Sequence, residues 1–177
     1  MILRTRHIEK LKELAEETGA RYIAVSGEKA VKVDNFIGSL ASSGVFHGVQ
    51  CQEVEARDVE NLDKVDPDAQ YVIIRGNIGS DFEYFRTIIE PKLSESTVIF
   101  ASQGNIENDG VVNFILPEMS FREYAEYRGH TIEVSSIMSG SSDANTLNTL
   151  RDEYILTGGY EEHIEDESSI FRDFDEK

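Results

Sequence analysis

The chain is constrained most by short, nearly unbroken apolar runs that alternate with segments of helical periodicity. Tyr22 to Ser26, Tyr71 to Ile74, Thr97 to Ala101 and Val111 to Leu116 are each of strand length and rich in branched or aromatic residues. Neighbouring side chains on a strand point to opposite sides, so a run that is apolar at successive positions is buried on both faces. Between these runs, apolar residues recur every three or four positions. They are Ile8, Leu11, Leu14 and Ala15, then Val33, Phe36, Ile37 and Leu40, then Phe82, Phe85, Ile89 and Leu93. That is the spacing of a helix with one buried face. Strands buried on both faces and separated by helices form a parallel sheet, and right-handed crossovers leave few topologies. The expected architecture is α/β: a three-layer α/β/α sandwich on a mostly parallel five-stranded sheet.

Local signals set the expected boundaries. Gly19 stops a leading helix that begins at Arg6, and Gly44 closes the helix after the first strand by taking a left-handed terminal conformation. Val49 to Val54 is a partly alternating strand nearer an edge, Ala56 to Leu62 a short helix, and Asp66-Pro67-Asp68 a turn. Ser80-x-x-Glu83 and Ser120-x-x-Glu123 are capping boxes, in which hydroxyl and carboxylate satisfy free amides at a helix start. The second of these helices ends at Gly129. His130 to Ser142 is polar and serine-rich, with Ser139-Gly140-Ser141-Ser142 expected as a mobile loop. Leu147, Leu150 and Tyr154 mark a last helix, stopped at Gly158-Gly159. The expected organisation is one domain over residues 1–160, with 118–160 a reduced helical appendage, followed by an acidic tail over 161–177.

Composition narrows the partners. The 177 residues carry 34 acidic and 17 basic side chains, a formal charge of −17. Such a field repels nucleic-acid backbone and anionic membrane, so direct nucleic-acid binding is not expected. It suits a well-solvated surface, a docking face for a basic partner, or a mimic of DNA phosphates. No apolar run approaches the ~20 residues of a membrane helix, and the N-terminus has no signal-peptide pattern. The single Cys51 excludes an internal disulfide, and the default expectation is a cytoplasmic protein. His163 stands near Glu161, Glu162 and Asp166, but a histidine in an acidic tail is more often simply solvated, and no metal is expected. His7, His47 and His130 have no ligand pattern around them.

The first strand, a turn opening at Gly27 and a following helix have the layout of a phosphate-binding loop. A working loop needs G-x-x-x-x-G-K-[ST], in which backbone amides form an anion nest, lysine reaches the β- and γ-phosphates and the hydroxyl holds Mg²⁺. Gly27 fits the first position, but Lys32 stands at the second glycine, Val33 at the lysine and Asp34 at the hydroxyl. Lys29 and Lys32 could still hold an anion weakly at the helix start, opposed by Glu28 and Asp34. The apolar strand that should end in Asp-Glu, for Mg²⁺ and for activating water, ends in Arg75-Gly76.

Three stretches resemble the predicted AAA+-type ATPases of archaea and bacteria. Ile73 to Glu83 resembles the family's Asp-Glu strand and next helix, with Arg75 and Gly76 in place of the acids. Phe114 to Tyr124 resembles its Pro-Leu-Ser-Phe-x-Glu-Phe segment, with Pro117 one place early. Glu153 to Glu162 resembles its Tyr-Leu-x-x-Gly-Gly-Phe-Pro-Glu stretch, with Glu161 at the proline. The likeness runs from about Arg6 to Glu162. It implies a P-loop NTPase-like fold with strand order 5-1-4-3-2. It also implies a sensing strand in which Ser102 or Gln103 would take the place of the γ-phosphate reader. The family's activity does not carry over, because its residues are absent.

The expectation is a pseudo-ATPase without a cofactor, acting as a protein-interaction module with an active ATPase or a basic partner. The alternative is a nucleotide or anion sensor, or an enzyme with an unrecognised site, around Arg75, Ser102 and Gln103 at the strand ends, where open α/β sheets bind ligands.

Overall fold

The computed structural model describes residues 4–28, 31–46, 51–55, 65–66, 68–78, 82–93, 95–130, 144–157 and 159. They fall into two compact units. One holds the described residues between 4 and 27 and between 33 and 116; the other holds those between 28 and 32 and from 117 onward. The expected helix over 56–62, the Ser80 capping box, the serine-rich loop and the acidic tail lie outside the described residues.

The first unit is built on strands β1 (Tyr22–Gly27), β2 (Cys51–Glu55), β3 (Tyr71–Asn77), β4 (Thr97–Ala101) and β5 (Val111–Leu116). All neighbours are parallel and the order across the sheet is β2-β3-β4-β1-β5, which is 5-1-4-3-2 read from the other side. Helix α1 (Thr5–Thr18) precedes β1, α2 (Val33–Leu40) follows it, and α3 (Phe82–Ile89) lies between β3 and β4. Strand alternation sorts the core into two layers. Tyr22, Ala24, Val72, Ile74, Val98 and Phe100 pack against Phe82, Phe85, Ile89 and Leu93 on the α3 side. The intervening residues Ile23, Val25, Ile73 and Ile99 are fully buried on the other side. There α2 lies along β1, β3 and β4, and Phe36 stacks on Phe114 with ring centres 6.2 Å apart. The sheet is therefore the middle of three layers.

Helix ends follow local chemistry. Gly19 takes φ 59° after α1 and its N–H donates to the Ala15 carbonyl at 3.0 Å, as expected of a glycine that can adopt a left-handed conformation. Gly44 does not close α2, contrary to expectation. The helix ends at Leu40 and Gly44 has no positive φ. The hydroxyls of Ser39, Ser42 and Ser43 instead donate to the carbonyls of Phe36, Ser39 and Leu40. The bonds to Ser39 and Leu40 satisfy two of the last carbonyls of the helix without a terminal glycine.

The connection from β4 to β5 departs from the alternating pattern. It must cross β1, yet residues 102–110 contain no helix. The Asn113 side chain fastens this segment, accepting from the Ile106 N–H at 2.8 Å and donating to its carbonyl at 3.0 Å. Asn108 donates to Glu83 at 2.7 Å. A parallel crossover normally carries a helix that covers the sheet face. Here β5 receives less cover than the inner strands, and Ile115 is 62% exposed.

In the second unit, helices α4 (Phe121–Tyr127) and α5 (Ala144–Thr157) pack through Tyr124, Ala125 and Leu150, with Met119 beside them. The Ser120 capping box is complete: Glu123 N–H donates to Ser120 Oγ, and Ser120 N–H donates to Glu123 Oε2 at 2.9 Å. Tyr154 Oη donates to the Met119 carbonyl at 2.8 Å, and Met119 N–H donates to the Gly159 carbonyl at 2.9 Å. Tyr124 Oη donates to Glu153, which also faces Arg128 at 3.3 Å.

Candidate functional site

In an open parallel sheet, ligands bind at the carboxyl ends of the strands. Gly27 is the last residue of β1, half-buried and in register with Leu116 of β5. On the next strand, Ser102 continues β4 by donating its N–H to the Val25 carbonyl at 2.8 Å. Its hydroxyl donates to the Gly104 carbonyl and accepts from the Gly104 N–H at 3.4 Å. The Ser102 hydroxyl is thus engaged in its own turn. Gln103 is exposed.

The end of β3 is irregular. Ile74 pairs with Phe100, but the next residue in register with β4 is Asn77, opposite Ala101. Arg75 and Gly76 form a bulge on that side, while Arg75 stays in register with Glu55 on β2. Gly76 takes φ 85°, a conformation a bulge accepts most readily from glycine. Arg75 shares the α2 side of the sheet with Ile73, and its guanidinium faces Glu53 at 3.8 Å and Glu55 at 4.0 Å. It also lies over α2 at Gly38, where an added Cβ would sit 3.2 Å from Arg75 Nη2. The Arg75 side chain is thus turned toward β2. Arg75 and Ser102 engage different partners, Glu53 and Glu55 for the first and Gly104 for the second.

The residues after Gly27 are described by their own backbone. Val31 N–H donates to the Glu28 carbonyl at 2.9 Å, and Lys32 takes φ 52°. Lys32 therefore has a glycine-like conformation at the place where a phosphate loop has its second glycine. Lys29 lies outside the described residues. Asp34, in the first turn of α2, puts a carboxylate at the positive end of the helix dipole. That is the place a bound anion would occupy.

Among the described residues, no group of three or more His, Cys, Asp or Glu side chains is arranged to hold a metal ion. The acidic cluster around His163 lies outside them. Among the described residues, two tyrosines have displaced titration. Burial raises Tyr22, which opens β1, and Tyr154, within α5. An open groove of about 650 Å³ runs along α1, lined mainly by Glu9, Lys12, Glu13 and Glu16 with Gly44 and Val45.

Sequence reasoning missed the bulge. Its signal was Gly76 within an otherwise strand-forming run, since an isolated glycine there marks a bulge or a close approach. The chain matches no protein-family model, no curated protein and no solved structure. Among the described residues, no helix is long and apolar enough to cross a membrane.

Proposed function

We propose that the chain is a P-loop-like α/β scaffold that does not hydrolyse nucleotide and works in the cytoplasm as a protein-interaction module. The observation that carries this reading is the end of β3. Metal-assisted phosphoryl transfer needs a carboxylate there, and Arg75-Gly76 instead form a bulge with the arginine set against Glu53 and Glu55. Ser102 supports it, because its hydroxyl is engaged within its own turn. Asp34 supports it too, by supplying the negative charge that a phosphate would otherwise bring to α2. The resemblance of Ile73–Glu83, Phe114–Tyr124 and Glu153–Glu162 to AAA+-type ATPases gives the scaffold its proposed ancestry. Relatives of that kind assemble side by side, so a subunit without hydrolysis can still occupy a position.

Titration with ATP or ADP and Mg²⁺, followed by melting temperature, tests the reading. Ligand that binds only the folded state raises that temperature by mass action. We expect no shift at micromolar nucleotide and no phosphate release. A clear shift at that concentration would sink the proposal. The charge of −17 points to a basic partner, recoverable with the protein from its native cells.

A further inference from the structure

The two edges of the sheet are built differently. β2 carries Glu53 and Glu55, charges of the kind that discourage another strand from pairing at an edge. β5 carries no charge from Val111 to Leu116, and among the described residues no strand pairs with its outer side. Its cover is thin for a stated reason: the 102–110 crossover lacks a helix. Along the α3 side, Val111 is buried and Asn113 half-buried, while Ile115 is 62% exposed. A strand that is uncharged, rich in β-branched and aromatic residues and open at its edge is a template for strand addition.

We infer that the outer edge of β5 is a docking site for an extended, basic segment of a partner protein, which joins the sheet as a sixth strand. Backbone hydrogen bonds supply the pairing, and an apolar side chain of the incoming strand covers Ile115. Charge selects this occupant over a second copy. Glu107 and Asp109 precede the strand in sequence. Pairing of β5 with its own copy would bring together molecules that each carry −17. Lysine or arginine beside the start of β5 on an incoming apolar strand meets these acids instead. The inference names the partner class for the interaction module proposed above, and so rests on that part of the reading. It does not depend on the loss of nucleotide binding.

The test uses a short synthetic peptide of alternating valine and threonine flanked by lysines. It is titrated into the whole chain and into two variants with the same added charge, Ile115→Arg on β5 and Tyr84→Arg on exposed α3. The inference expects Ile115→Arg to weaken binding by roughly tenfold or more, as loss of a central contact does. Tyr84→Arg should bind like the parent, and peptide should slow amide exchange at residues 111–116 of the unaltered protein. That last readout needs no variant to fold. Equal weakening in both variants would reduce the binding to general attraction by an acidic surface and overturn the inference. So would absence of binding, protection outside β5, or a parent dimer that Ile115→Arg dissociates, which would make a second copy the occupant. Nucleotide is omitted throughout, so a later thermal shift with ATP would overturn the pseudo-ATPase reading without touching this result.

Discussion

Burial of polar atoms at single residues has measurable consequences. The Tyr22 hydroxyl is buried without a hydrogen-bond partner, its ring edge-on to Phe82 at 5.3 Å between centres. Replacing it by phenylalanine removes a desolvated polar group and keeps the ring. Tyr22→Phe should therefore be neutral or stabilise by up to about 1 kcal/mol in chemical denaturation; a loss of that size would mean the hydroxyl is bonded in solution. Burial also raises the Tyr22 and Tyr154 pKa values above the ordinary 10.0. The fold then holds its phenol protons at pH values where the unfolded chain releases them. Stability is unaffected by these groups below pH 10.0, falls as pH rises past it, and continues to fall through the folded-state values. Denaturation midpoints across that range should decline, and less steeply in Tyr22→Phe. Gly159 is constrained in another way: φ is 74° and an added Cβ would stand 2.5 Å from the Met119 carbonyl oxygen. Gly159→Ala should cost more than the ~1 kcal/mol typical of backbone strain alone, because Tyr154 holds that carbonyl in place. A melting temperature equal to the parent's would contradict the contact.

At the level of elements, the cap of α4 and the end of β3 show how a motif can be structural. The Ser120–Glu123 box closes both of its bonds, so Ser120→Ala should destabilise by about 1 kcal/mol, read from the denaturant midpoint at constant slope. The two stretches after the sheet that resemble the ATPase family meet each other: Met119 bonds Gly159 and receives the Tyr154 hydroxyl. Their likeness therefore has a packing reason as well as any inherited one. Arg75 likewise joins Glu53 and Glu55, although all three are about a third to half exposed. Exposed pairs of this kind contribute under about 1 kcal/mol. Arg75 therefore has little effect on stability through these pairs.

Over the whole molecule, charge is the dominant statement. A formal −17 on 177 residues opposes the compact state through self-repulsion. Raising salt from about 10 mM to about 0.5 M shortens the screening length from ~30 Å to a few ångström. The melting temperature should rise across that range. A fall would show that specific ion pairs, such as Arg21 with Glu90 or Arg86 with Glu83, outweigh the general repulsion. The same field makes β5 informative, since it is an edge where a partner need not displace a charge from the strand itself.

The sequence by itself determined the layers and the strand set. Near-continuous apolar runs must be buried on both faces, and the helical repeats of Phe36-Ile37-Leu40 and Phe82-Phe85-Ile89 each have one face to bury. It also showed that the apolar run Tyr71–Ile74 is followed by Arg75-Gly76 and not Asp-Glu, and that no Gly-Lys pair occurs. The order of the strands was legible only through the family resemblance. The route of Arg75 was not legible, because a β-bulge depends on pairing with β4 and the guanidinium's position on carboxylates from β2, both remote in sequence. Neither was the stop of α2: serine hydroxyls competed with Gly44 for the same carbonyls, and their geometry decided. Exposure of Ile115 also belongs to the tertiary structure alone. A strand's own residues cannot say whether its crossover brings a helix to cover it.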